Sequence, residues 1–145
     1  MNINDVAPCG VDCGNCEIHE RNGKPEIWER VAATFGKNID EVKCKGCRLQ
    51  PGCVVHENCE TLTCVSRKKI DFCYDCEEFP CTFLMPMKEW AERVPHNLKV
   101  YNLCRIQKVG VEKFLEEASL IRKKYFTGKM KIGSGPQLDQ TTAEL

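Results

Sequence analysis

The sequence predicts a small α-rich, metal-bound fold: an irregular zinc-knuckle module with one helix over residues 1–84, a short helical subdomain over 85–127, and little β structure. Three observations carry that expectation. Eleven of the twelve cysteines lie between Cys9 and Cys81. Three Cys-x2-Cys pairs fall inside this span. Apolar residues at helical spacing are confined to one stretch near 23–37 and to the region after 85.

Taken in order, the segment Gly23 to Lys37 carries Ile27, Trp28, Val31, Ala32 and Phe35 on one helical stripe. Pro25 suits a first turn and Gly36 a C-terminal stop. From Lys37 to Cys81 large apolar residues are few and show neither strict alternation nor a 3.6 period, apart from a short helix around Thr61 to Lys69. Such a stretch is not expected to bury enough surface to offset its chain entropy. Structural zinc contributes roughly 10–16 kcal/mol of apparent binding energy in small fingers, so metal is expected to decide whether this half folds.

The second half reads as three helices. Met85 to Arg93 opens near Pro86, carries Met87, Trp90 and Ala91, and is stopped by Pro95. A second runs from about His96 to Val109, with Cys104 read as a core thiol. The third, Val111 to Phe126, places Val111, Phe114, Leu115, Ala118, Ile121, Tyr125 and Phe126 on one stripe, the clearest amphipathic pattern in the chain. Residues 128–145, with Gly133, Gly135 and Pro136 among polar neighbours, are expected to be an extended or disordered tail.

The cysteine spacings are Cys9-x3-Cys13-x2-Cys16, Cys44-x2-Cys47, Cys53-x5-Cys59-x4-Cys64 and Cys73-x2-Cys76-x4-Cys81. A two-residue gap lets two thiolates converge on one tetrahedral ion at about 2.3 Å while turn amides donate to the sulfurs. Gly10, Gly14 and Gly46 are placed for tight turns. The preferred grouping joins Cys13 and Cys16 to Cys44 and Cys47. A second site then draws on Cys59, Cys64, Cys73, Cys76 and Cys81, with Cys9 and Cys53 completing a third site or capping the first two. His56 stands in Cys53-x2-His56-x2-Cys59, a ligand spacing, although a lone histidine in a polar loop is as often simply solvated. His19, three residues after Cys16, equally well opens the polar turn that follows it. Two or three zinc ions would use these donors.

Competing chemistries need other surroundings. Cys9-x3-Cys13-x2-Cys16 is the spacing of radical S-adenosylmethionine enzymes, but the βα barrel those enzymes need has no trace here. An iron–sulfur cluster is the main alternative cofactor, because four thiolates serve iron as well as zinc. The ferredoxin run C-x2-C-x2-C-x3-C-P is absent, and Cys81 follows Pro80 instead of preceding a proline. A thioredoxin-type thiol would want one pair at a strand-to-helix junction. No catalytic triad, phosphate loop or carboxylate pair stands out, so catalysis is not expected. Lysine plus arginine and aspartate plus glutamate both number 21, and no long-range field favours nucleic acid or an anionic membrane. Arg67, Lys68, Lys69 and Arg122, Lys123, Lys124 read first as helix C-terminal charge. With no basic leader before an apolar run and no long apolar segment, a soluble cytoplasmic protein that meets a protein partner, or less readily a nucleic acid, is expected.

The runs Cys9-Gly10-Val11-Asp12-Cys13-Gly14-Asn15-Cys16, Val42-Lys43-Cys44-Lys45-Gly46-Cys47 and Phe72-Cys73-Tyr74-Asp75-Cys76-Glu77-Glu78-Phe79-Pro80-Cys81 together resemble one family, the cysteine-rich domain-of-unknown-function family 3795 (DUF3795). The resemblance covers about residues 7 to 84, and Glu78-Phe79-Pro80-Cys81 is its most specific part. It implies a zinc-binding protein without an established activity. It also implies family roles for Cys9, Cys13, Cys16, Cys44, Cys47, Cys59, Cys64, Cys73, Cys76 and Cys81, with Cys53 the weaker match and His19 standing where the family would have tyrosine. The segment Gly110 to Glu117 resembles a helix of longer relatives in which a further zinc ribbon often follows.

Overall fold

The computed structural model describes residues 2–86 and 93–138. The described part is mostly helical with little strand, in line with the α-rich expectation. Five helices are present among these residues: α1 Pro25–Phe35, α2 Ile39–Val42, α3 Glu60–Lys68, α4 Lys99–Val109 and α5 Val111–Thr127. Single 3-10 turns occur at Ile3–Asp5, Cys73–Asp75, Thr82–Leu84 and His96–Leu98.

Helix α1 begins at Pro25, whose missing N–H costs nothing in a first turn, and stops at Gly36, whose φ of 63° closes it in the left-handed region. Only Ala32 on α1 is fully buried. The helix is tethered instead by Trp28, whose indole N–H donates to the Ile18 carbonyl at 3.2 Å and whose ring lies under the Lys43 ammonium. Three helices are present in this half: the amphipathic one expected near 23–37, the short one read around Thr61 to Lys69, and a further α2 that the sequence did not announce. The four-residue α2 is held by a capping box between Asn38 and Glu41, and α3 presents Thr61 and Val65 inward. The C-terminal helices follow their apolar stripes. Leu103 and Ile106 of α4 and Phe114, Leu115 and Ala118 of α5 are buried, while Val111 and Ile121 pack beside them.

Three expectations need correcting. The stretch from Lys37 to Cys81 does supply core: Val65, Phe72 and Cys73 join Val6, Ala7, Cys9, Cys13 and Leu84 in one cluster with α4 and α5. A few large side chains entering a core built elsewhere need no period of their own. Cys104 is exposed, because it sits one residue and so about 100° round the helix from Leu103. Residues 129–137 are not a featureless tail: β1 Lys129–Lys131 and β2 Gly135–Gln137 form an antiparallel hairpin. The expected helix from Met85 to Arg93 lies largely on residues outside those described, as does the chain after 138.

Candidate metal centre

The first cysteine turn is built on Asp5. Its carbonyl accepts from the amides of Cys13 (2.9 Å) and Gly14 (2.8 Å), and its carboxylate accepts from the Asn2 amide and the Arg21 guanidinium. Burial works against the charged form of Asp5, but these donors outweigh it and hold the carboxyl below its ordinary range. Asp12 then closes the turn by accepting from the backbone and side-chain amides of Asn15. Helix α4 clamps the same loop from the other side. The Asn102 side chain donates to the Gly10 carbonyl at 2.7 Å, and a Cβ at position 10 would stand 2.6 Å from the Lys99 carbonyl oxygen.

The second knuckle, Cys44 to Cys47, is threaded against the chain that follows Cys16. Cys44 donates to the Ile18 carbonyl and accepts from the Glu20 amide. Gly46, with φ of 92°, makes the turn and donates its N–H to Cys44 Sγ at 3.4 Å. Arg48 fastens the knuckle down: its guanidinium donates to the carbonyls of Val6 (2.9 Å) and Asp71 (2.7 Å) and stacks on the Phe72 ring.

These two turns meet at Cys13, whose Cβ lies 3.6 Å from where a Cβ on Gly46 would stand. A side-chain hydrogen bond between the thiols of Cys13 and Cys47 lowers the pKa of Cys13 and, with burial, raises that of Cys47. Backbone amides turn toward sulfurs repeatedly. The N–H two residues on serves Cys9 (Val11), Cys16 (Ile18), Cys44 (Gly46) and Cys53 (Val55), and opposes the upward push of burial on each thiol. Cys44 is pushed up to about 12 by burial and by the neighbouring thiols of Cys53, Cys13 and Cys16. Uncharged thiols in this setting need a cation before they ionise.

The remaining candidates divide differently from the sequence grouping. Cys64, Cys73, Cys76 and Cys81 line one cavity, whereas Cys59 lines another together with Cys47. Cys73 is also pushed up to about 12, by burial and then by the thiols of Cys9, Cys81 and Cys64. Lys68 Nζ donates to Cys76 Sγ at 3.0 Å and to Glu78 at 2.7 Å. Cys53 and His56 form a tight turn in which the His56 amide donates to the Cys53 carbonyl at 2.8 Å. The His56 side chain is exposed, and partial burial followed by the Lys99 charge lowers its pKa. His19 is buried, with Nδ1 accepting from the Arg21 amide at 3.2 Å, and its backbone bridges to Cys44.

All twelve cysteines are free thiols. Among the described residues no three histidine, cysteine, aspartate or glutamate donors are grouped closely enough to hold one ion. The donor chemistry nevertheless fits a thiophilic cation where the two turns meet, since Cys13 lies beside Gly46 and the Gly46 N–H already caps the sulfur of Cys44. Asp5, Arg48, Asn102 and the Lys68 contact carry no sequence signal. They act through backbone or sulfur partners that cysteine spacing does not reveal, eight residues away for Lys68 and Cys76 and ninety-two for Asn102 and Gly10.

A family model described as a protein of unknown function, DUF3795, matches residues 5–86. No curated protein and no solved structure matches the chain.

Proposed function

The chain belongs to the DUF3795 family, whose function is unknown, and on that premise we propose that it is a zinc-stapled interaction module whose principal ion is held by Cys13, Cys16, Cys44 and Cys47. The observation that carries this reading is the meeting of two glycine-assisted turns, where a Cβ on Gly46 would lie 3.6 Å from that of Cys13 and the Gly46 N–H donates to Cys44 Sγ at 3.4 Å. When bound, the ion supplies charge neutralisation for the thiolates and a covalent staple between distant segments.

This chain's own residues do the rest. Asp5 and Asp12 shape the first turn, Gly46 donates to Cys44, and Arg48 locks the second turn onto the Phe72 ring. Four protein sulfurs around one ion leave no open position for a substrate, so the role assigned is structural and the working surface lies outside the metal. A protein partner in the cytoplasm suits a chain with balanced charge better than nucleic acid does. No helix among the described residues is long and apolar enough to cross a membrane.

Cobalt(II) replacement tests the reading. A tetrahedral all-thiolate spectrum that disappears in Cys13→Ser and Cys47→Ser is expected. A weak spectrum of six-coordinate cobalt, unchanged by either substitution, would overturn it.

A further inference from the structure

The charges that cancel over the whole chain are not evenly spread. Between Glu117 and Asp139 the sequence holds five of the 21 lysines and arginines (Arg122, Lys123, Lys124, Lys129 and Lys131) and none of the 21 acids, so residues 118–138 carry +5 and the rest of the chain −5. Glu117, the last acid before the stretch, is engaged by Arg105 of α4, which donates to both its carboxylate oxygens at 2.7 Å. The stretch ends in the hairpin, which is fixed at root and tip. At the root β2 packs on α5, and a Cβ at Gly128 would stand 3.1 Å from that of Pro136. At the tip the Ser134 amide donates to the Lys131 carbonyl at 2.9 Å, closing a turn in which Gly133 takes the position that needs positive φ, here 81°. The Gln137 side chain braces that turn by donating to the Ser134 carbonyl at 2.7 Å.

That frame puts aliphatic side chains where turns ordinarily carry polar ones. Ile132 is 99% exposed and Met130 73% exposed, and exposed Lys129 and Lys131 alternate with them along the chain. We infer that the hairpin is a membrane-contact element: Met130 and Ile132 enter the headgroup region of a lipid surface, while the lysines and the cations at the end of α5 hold its anionic headgroups. Charge complementarity calls for an anionic partner. The apolar pair then decides which. A nucleic acid would take the lysines and leave Met130 and Ile132 in water, since neither offers an aromatic face on which a base could stack. An acidic protein would need a cleft shaped to a projecting tip, whereas a lipid interface takes in any small apolar projection ringed by cations. With two aliphatic side chains the contact is peripheral and reversible, and salt weakens it. The inference goes beyond the zinc-module reading and uses none of its cysteines.

Sedimentation of the full chain with large vesicles tests it, with phosphatidylcholine alone set against equimolar phosphatidylcholine and phosphatidylserine. The chain is expected to sediment with the anionic vesicles, to stay in solution beside the neutral ones, and to be released by added salt. Met130→Asp with Ile132→Asp, and Lys129→Glu with Lys131→Glu, are each expected to weaken binding by roughly tenfold or more. All four side chains are exposed, so an unchanged far-ultraviolet circular dichroism spectrum is expected to accompany either loss. Ile132→Trp gives the converse: tighter binding, with an indole emission that shifts to the blue only when anionic vesicles are present. No binding to anionic vesicles, or binding that Met130→Asp with Ile132→Asp leaves unchanged, overturns the inference. Retention of polyuridylic acid or polyglutamate in place of vesicles overturns it too, and assigns the surface to nucleic acid or to an acidic protein. The metal content of the same samples reports on the cysteine sites separately.

Discussion

Gly10 is required by its surroundings and not by its loop alone. Its φ is 86°, and a Cβ there would press on the Lys99 carbonyl at 2.6 Å and on Leu103. Gly10→Ala is therefore expected to destabilise the chain by roughly 1–3 kcal/mol, measured by chemical denaturation. Cys104→Ser, at an exposed position, should stay within about 0.5 kcal/mol of the parent in the same assay. Asp5 brings a pH dependence. Its folded carboxyl titrates below the unfolded one, so its contribution is present above the ordinary carboxylate range and is lost as pH falls through the folded value. Asp5→Asn should flatten the acid limb of a stability-against-pH curve, and an unchanged limb would remove Asp5 from the account. The tight turns at the cysteine pairs were legible in the sequence because a two-residue gap with a neighbouring glycine reports local convergence, whereas which thiols stand near one another across the chain was not. Cys104 was misplaced because its helix phase is set by α5, which spacing alone does not show.

The helices with strong periods and clear stops were legible as elements: α1 between Pro25 and Gly36, and α5 from its stripe of Val111, Phe114, Leu115, Ala118 and Ile121. The hairpin Lys129–Lys131 with Gly135–Gln137 was not, because three-residue strands, one of them opening on Gly135, carry too short a pattern to separate from coil. Docking of α4 on the first cysteine loop was not legible either, since it depends on the Asn102 bond to Gly10 across ninety-two residues. Leu103→Ala, at a fully buried position on that face, is expected to cost about 2–5 kcal/mol by denaturation, and to loosen the Cys9 to Cys16 turn along with α4. Knuckle turns add a second dependence. Ligand thiols must lose protons to bind metal, so the chain should release its ion as pH falls, followed with a chromophoric chelator. Retention unchanged into acid would argue against thiolate ligation.

Across the whole molecule, one apolar cluster runs from Val6 and Cys13 through Phe72 and Leu84 to Leu103 and Phe114, so the cysteine-rich half and the helical half share a core. The account accordingly divides the labour: helices α4 and α5 and the Phe72 region provide burial, and the proposed metal ties together cysteine turns of which Cys13 already belongs to that core. It predicts that Cys44→Ser removes an ion and loosens the segment around residues 13–20, while α5 keeps its helical signal. The most direct measurement is elemental analysis of anaerobically purified full chain, with the visible spectrum of the same sample. The account predicts zinc in whole equivalents per chain and no visible band. Iron with matching sulfide and a brown colour, or protein free of metal yet fully folded, would contradict it.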